Sequence, residues 1–465
     1  MSAKSKNDEK GPKDRQKDGE SAKVRSMLSQ SRFKKTVFEN GLTVLSERHR
    51  EYRSLSMGIW VKMGTRHELI EEAGVSHFLE HMLFKGTKSR TSLQIAREVD
   101  QVGGEFNAFT AREHTCFHLL LLDRDLGLGL DILSDIVLNS RFAREEIERE
   151  RKVILQEIAM VEESPEELAF DLYFESVFGK HGLGRPILGS SSNIRNMKRD
   201  DLLHFFRTYY RPENLVLAVA GDVSHESVIR KIQALRQLHW PGRHQRSLGR
   251  SLKFEYLEPP RLMSGTHWVV RPTEQIHLIW GVPGPHFAAQ DRFAAFLLNV
   301  YLGGGMSSSL FQEIREKNGL AYTVYSSLSP FLDTGVFSIY AATGMGEVLL
   351  CLKLIEECVR KVKAKSLSQK ELRMIQDNLK GSILLASDCV ESRMSSIAKN
   401  EIFLGKYVSV SEVCRQIDAV NVDDIKRVAH SIFKDECRSI LALGPAPSPK
   451  VLARLKPIVL KRSYS

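Results

Sequence analysis

Long apolar runs are missing from this sequence. No stretch reaches 18 uninterrupted apolar residues, so no membrane span is expected. Cysteine is scarce too: the 465 residues hold six, Cys116, Cys351, Cys358, Cys389, Cys414 and Cys437. None stands in a C-x-x-C pair, which leaves no cysteine zinc knuckle and no thioredoxin-type redox pair. In a chain of this length such scattered thiols are expected to stay reduced, without disulfides. Cys351 and Cys358 share a helix face, but two thiols alone make a poor metal site. Basic stretches interleaved with aromatics are also absent, and no nucleic-acid motif emerges. The net charge of +10 therefore points to solubility and not to nucleic acid. Gly303-Gly304-Gly305 lacks the Lys-Ser/Thr of a phosphate cradle, which favours a mobile substrate-handling loop.

Residues 1 to 31 carry eight Lys/Arg against five Asp/Glu and almost no large apolar side chains. Such a composition cannot bury enough surface to fold, so 1–33 is expected to be a disordered charged tail. It holds no apolar core of the kind a secretory signal needs. Lys outnumbers Arg and acids are interspersed, unlike a mitochondrial presequence. The expected location is the bacterial cytoplasm, with the mitochondrial matrix as the alternative.

What is present is sharper. His77-Phe78-Leu79-Glu80-His81 sits in the run Gly74 to Phe84. On a helix, His77, Glu80 and His81 project from one face. Two imidazoles one turn apart can grip one zinc ion, and a carboxylate between them can reach a water at the metal. Composition alone yields about 0.06 such matches by chance, so the pattern is suggestive and its setting decides. Phe78, Leu79, Met82, Leu83 and Phe84 make the rest of the helix apolar. The polar face then lies in or beside a core, where buried charge needs a partner such as a cation.

Catalytic zinc takes three protein ligands and keeps one position open. The third is expected from a distant acidic or His residue on another helix. The segment Phe142 to Ile158 is rich in helix formers. Glu150 and Glu157 lie two turns apart and share a face. Charge thins out around Glu157, between Ile154 and Ile158, so Glu157 is the candidate third ligand for one zinc ion per chain. Glu150 is a candidate to steer a ligand from behind. Glu80 stands between the histidines without being needed as a ligand, which suits a general base. The commonest chemistry of such a site is amide hydrolysis.

The motif H-x-x-E-H, with Glu157 placed 76 residues after His81 in the context E-R-x-x-x-L-Q-E-I, resembles the pitrilysin-type inverzincin peptidases. Short members of that family include the catalytic subunit of the mitochondrial processing peptidase and its bacterial relatives. Gly103 to Thr110 is similar to the family's substrate-binding edge strand, and Tyr209-Tyr210-Arg211-Pro212-Glu213-Asn214 precedes an apolar strand as it does there. Gly303 to Phe311 and Arg315 to Tyr322 match as well. The resemblance implies the roles given above for His77, His81, Glu157 and Glu80. It further implies substrate binding along Asn107 and Ala108, and oxyanion or carbonyl donors in Arg315 and Tyr322. Without it, these two are only a loop Arg and a strand Tyr.

The fold class expected is α+β, with two tandem homologous α/β-sandwich domains that form half of a clamshell. Each is a mostly antiparallel sheet packed with helices. The boundaries are a zinc-binding domain over 34–238, a linker over 239–262, a second domain over 263–450 and a basic tail over 451–465. In the first half, 105–110 and 115–122 are expected as edge strands, and 215–220 closes the sheet. The helix expected over 291–302 stands in the place of the metal helix but carries no His/Glu set, so the second domain is structural or substrate-binding. Peptides are the expected substrates, with no nucleic acid and no membrane as partners. Because long relatives build a four-domain chamber in one chain, a homodimer is expected here. The competing expectation is a non-catalytic scaffold subunit of a processing peptidase.

Overall fold

The computed structural model describes residues 32–235 and 259–460. Its twelve strands are β1 (Arg32–Val37), β2 (Thr43–Arg48), β3 (Ser54–Val61), β4 (Glu105–Thr110), β5 (Thr115–Leu122), β6 (Leu215–Gly221), β7 (Gly265–Val270), β8 (Ile276–Pro283), β9 (Ala321–Pro330), β10 (Gly335–Thr343), β11 (Ser439–Gly444) and β12 (Ile458–Leu460). They form two six-stranded sheets, ordered β1-β2-β6-β3-β5-β4 and β12-β7-β11-β8-β10-β9. The two orders correspond position by position, though the outer strands differ in direction: β1 runs antiparallel to β2 and β12 parallel to β7. Both are mixed: β2 runs parallel to β6 and β7 parallel to β11, while β3 runs antiparallel to both its neighbours, as does β8.

The helices that matter for the site are α1 (Val75–Leu83), α2 (Ser92–Asp100), α3 (Leu126–Asn139), α4 (Arg144–Glu163) and α5 (Pro165–Phe178) in the first half. In the second half they are α6 (Arg292–Gly303), α7 (Val348–Ala364), α8 (Gln369–Ser387), α9 (Val390–Leu404) and α10 (Pro449–Leu455). Local chemistry explains several starts. Thr91 caps α2 through Gln94 N–H, and Ser368 and Glu371 close a reciprocal capping box on α8. Gly41, at φ +92°, makes the tight turn between β1 and β2 that an L side chain would strain.

Each sheet is covered on one face by helices of its own half and on the other by a helix of the opposite half. Leu172, Tyr173 and Val177 of α5 pack on Ile279, Leu441 and Leu443 of the second sheet. Met394, Ile397 and Ala398 of α9 pack on Trp60, Val216 and Ala218 of the first. The exchange is reciprocal down to the glycines beneath it. A Cβ on Gly58 would lie 3.0 Å from Met394 Sδ, and one on Gly281 would lie 2.0 Å from Tyr173 Oη. Arg393 of α9 also donates Nη2 to both oxygens of Glu47 on β2, at 2.7 Å each. Beyond these helices, Glu113 in the β4–β5 turn accepts from Leu332 N in the β9–β10 turn at 3.1 Å, and Arg66 bridges Glu113 and Asp333.

Three expectations change. Strand β6 does not close its sheet but lies between β2 and β3, and all seven of its residues are buried. Of the two expected edge strands only β4 is one, since β5 lies between β3 and β4. Residues 451–460 are not a tail: α10 buries Val451, and β12 adds to β7 in the place that β1 holds in the first sheet. Strand β7 is not foreshadowed by the pattern of the second half. The N-terminal tail lies outside the described residues except for 32 and 33, which begin β1; the linker lies outside them up to 258.

Candidate metal centre

Helix α1 is seated at its N-terminus by Glu68, whose two carboxylate oxygens accept from Gly74 N and Ser76 N at 2.8 Å each. Burial pushes the Glu68 carboxyl up to about 7 despite these bonds. Phe78, Leu79, Met82 and Leu83 anchor the helix in the core, at 1% exposure or less. That leaves His77, Glu80 and His81 on the opposite face. Helix α4 crosses α1 and sinks Ile147, Ile154 and Ile158 into the same core. Glu150 and Glu157, both on α4, face the histidines.

Glu157 Oε2 lies 3.4 Å from His81 Nε2 and 3.7 Å from His77 Nε2. Ligand atoms of all three residues fall within 4.8 Å of one another. Two bonds of about 2.0–2.1 Å at a tetrahedral angle put ligand atoms roughly 3.3 Å apart, so this donor set fits zinc with little movement. Burial, together with the nearby His81, drives His77 down to about 3, so its ring is neutral and free to donate a lone pair. His81 moves the other way: burial lowers it, but the Glu150 hydrogen bond and the Glu157, Glu150 and Glu80 charges outweigh burial. Three carboxylates around one imidazole leave this end of the site short of positive charge.

Glu150 lies behind His81, with Oε2 3.0 Å from His81 Nδ1 and Oε1 2.7 Å from Lys85 Nζ. A proton held on Nδ1 by this contact leaves Nε2 as the free donor, the tautomer that metal ligation needs. Burial raises the Glu150 carboxyl, and the His81 and Lys85 contacts more than reverse that. His77 Nδ1, by contrast, is buried with no hydrogen-bond partner among the described residues.

The sequence model described as Insulinase (Peptidase family M16) matches residues 43–191, and the one described as Peptidase M16 inactive domain matches 196–379. An uncharacterized zinc protease of Mycobacterium leprae is 39% identical over 422 residues, covering 90% of this chain and 93% of that protein. The uncharacterized zinc protease YmxG of Bacillus subtilis is 35% identical, covering 87% and 96%. The chain belongs to peptidase family M16.

The fold agrees. A protease from Helicobacter pylori superposes with a TM-score of 0.82 at 23% identity, covering 89% of this chain and 100% of that one. No helix among the described residues is long and apolar enough to cross a membrane. The second-domain helix α6 carries no His/Glu set, in keeping with the match to the inactive-domain model.

Beside this His-His-Glu group, Glu80 is fixed by a residue that the sequence did not single out. Thr110 Oγ1 on β4 donates to Glu80 Oε2 at 2.5 Å, which leaves Oε1 without a protein partner among the described residues. Burial raises the Glu80 carboxyl above its ordinary value, Thr110 and His81 pull it back, and Glu157 pushes it further up. An open cleft of about 650 Å³ begins at His77 and Glu80 and runs past Ala108 to Glu166, Glu167 and Asp171. Tyr325 donates its hydroxyl to Glu166 at 2.6 Å, and Arg112 reaches Asp171 at 3.3 Å. These acids of α5, like Thr110 and Glu68, come to the site only through folding.

Asn107 and Ala108 lie on the free edge of the first sheet, and Ala108 also lines the cleft. Asn107 Oδ1 accepts from Ala108 N–H at 2.8 Å, so the edge amide is covered by its neighbour's side chain. Arg315 and Tyr322 are joined to each other instead of to the triad. Arg315 Nη1 donates to Tyr322 O at 2.9 Å, and its guanidinium lies 4.4 Å over the Tyr322 ring. Neither lines the cleft, and Tyr322 is 75% exposed. In the glycine run, a Cβ on Gly303 would meet Ser326 N at 2.2 Å, so the close approach of α6 to β9 requires that glycine.

Proposed function

We propose that this protein is a zinc metalloendopeptidase that cleaves unfolded peptide segments carrying a basic side chain near the cut. The convergence of His77, His81 and Glu157 within 4.8 Å, with Glu80 on the same helix face at the head of a cleft, carries the proposal. His77, His81 and Glu157 would hold the zinc, which when bound supplies Lewis acidity and lowers the pKa of a coordinated water to about 7. Glu80 Oε1 then accepts the proton of the attacking water and returns it to the leaving amine, while Thr110 holds Oε2 still. An extended peptide adds along β4, with its main chain replacing the Asn107 side chain at Ala108 N–H. Glu166, Glu167 and Asp171 line the cleft, Asp171 with Arg112 beside it, and no Lys or Arg is among the described lining residues, which favours a cationic side chain.

Two copies closing over the site, as a homodimer, are part of the proposal. A fully active species with a monomeric mass by light scattering counts against that part. The central test is Glu80→Gln. The expected outcome is stoichiometric zinc with peptide cleavage reduced by about 10²- to 10⁴-fold. Wild-type protein that retains zinc yet cleaves no peptide in a diverse library supports the alternative of a scaffold subunit.

A further inference from the structure

The duplication gives the metal cleft a counterpart in the second domain. Helix α6 stands where α1 stands, and β9 is the sheet edge where β4 is. The β4–β5 and β9–β10 turns, 111–114 and 331–334, are each four residues long, between the closing pairs Thr110–Thr115 and Pro330–Gly335. Counting back from these pairs, Leu328 and Pro330 occupy the places of Ala108 and Thr110. The counterpart is a separate cavity of about 150 Å³, and Leu328 and Pro330 line it. From α6 it receives Phe293 and Phe296, at the same three-residue spacing as His77 and Glu80 on α1. Phe287 and Leu404 complete an apolar wall. Where His77 and Glu80 line the first cleft, rings and methyl groups line this one.

A single charge lines this apolar space. Arg292 donates Nη1 to Phe287 O at 3.0 Å, and its guanidinium lies 4.6 Å over the Phe293 ring. It has no carboxylate partner among the described residues. Burial alone lowers its pKa, with no opposing anion. Other arginines that leave the surface are held by acids: the half-buried Arg90 by three, the buried Arg66 by two. The space is partly open and also meets Asn400, and its apolar wall is large enough to cover a benzene-sized group. The unmatched guanidinium beside it offers charge-assisted hydrogen bonds to a carboxylate.

We propose that this second-domain cavity binds an aryl or branched alkyl group bearing one carboxylate, with the apolar group among Phe293, Phe296 and Leu328 and the carboxylate on Arg292. The ligand is either a free small acid or the C-terminal residue of a peptide. Binding here needs neither zinc nor Glu80, so its outcome is separate from that of the peptidase proposal.

Calorimetric titration of the full-length zinc protein with phenylacetate and with its neutral isostere phenylacetamide tests this. The acid is expected to bind at least about tenfold more tightly than the amide. Arg292→Met should remove that preference and Arg292→Lys restore part of it, while binding of a carboxylate at the zinc would survive both changes. A short peptide ending in Phe, with a free or an amidated C-terminus, distinguishes the sources. Binding of the free-ended peptide at Arg292 assigns a chain end, and binding of phenylacetate alone assigns a small acid. Equal affinity for acid and amide overturns the proposal. So does an acid preference that survives in Arg292→Met, or no binding of any probe at millimolar concentration. The acid–amide comparison uses wild-type protein and holds even if a variant fails to fold.

Discussion

Glu150 Oε2 lies 3.0 Å from His81 Nδ1, on the side of the ring away from Glu157. This contact selects the tautomer in which Nε2 is free. Glu150→Gln keeps the shape but removes the charge that holds the proton on Nδ1. Zinc affinity is expected to fall about 10- to 100-fold, read by competition with a chromophoric chelator. At saturating zinc, the variant should regain most of its cleavage rate, whereas Glu157→Ala should not.

The acids of α5 lead to a prediction about selectivity. Glu167→Gln with Asp171→Asn should lower kcat/KM for a peptide with Arg near the cut by about tenfold or more. A matched norleucine peptide should change little. Raising the salt concentration should weaken the Arg preference of the wild type and have less effect on the variant. An unchanged Arg-to-norleucine ratio removes these carboxylates from substrate recognition.

The buried pair of Arg393 and Glu47 joins the two halves. Arg393→Met leaves Glu47, at 0% exposure, without its guanidinium partner. Such a loss typically costs about 3–5 kcal/mol, measurable by urea denaturation. Adding Glu47→Gln should recover a large part of it, because the uncompensated charge is then gone.

Acid should destabilise the protein through His114. Its ring is 7% exposed and packs against Trp60, Phe109 and Phe403. Burial, aided by the positive Lys399, pushes it down to about 3 from 6.5. The folded form therefore binds its proton less readily than the unfolded chain does. Stability attributable to this group is complete above pH 6.5 and falls steadily between 6.5 and 3. At pH 5 the loss is about 2 kcal/mol. His114→Phe should flatten the fall of Tm across that range, by scanning calorimetry.

The meeting of His77, His81 and Glu157 was legible because the spacing is dictated by one element at a time. His77 and His81 are a helical turn apart, and Glu157 is picked out by the fading of charge along a helix. Thr110 and Glu68 were not legible, because a hydroxyl on an edge strand and an acid in a loop gain meaning only once the chain brings them to α1. The position of β6 was hidden for a related reason. Its seven buried residues mark a strand covered on both faces, but not which neighbours it takes. Strand β12 gave no signal, since all three of its side chains are exposed and its pairing is carried by main chain alone. Helices α5 and α9 are apolar enough to be buried, yet nothing in a single sequence says that each lies on the other half's sheet.

That crossing has a consequence for what counts as a part of this molecule. Neither half owns a complete hydrophobic interior, for each lends one wall to the other. A fragment holding only the first sheet would leave Trp60, Val216 and Ala218 facing water, and one holding only the second would bare Ile279, Leu441 and Leu443. A backbone cut between them should therefore leave a clasped pair that melts in one step. Co-expressed halves should find each other where either alone precipitates. Here the smallest independent object is the couple, although each sheet has the outline of a domain.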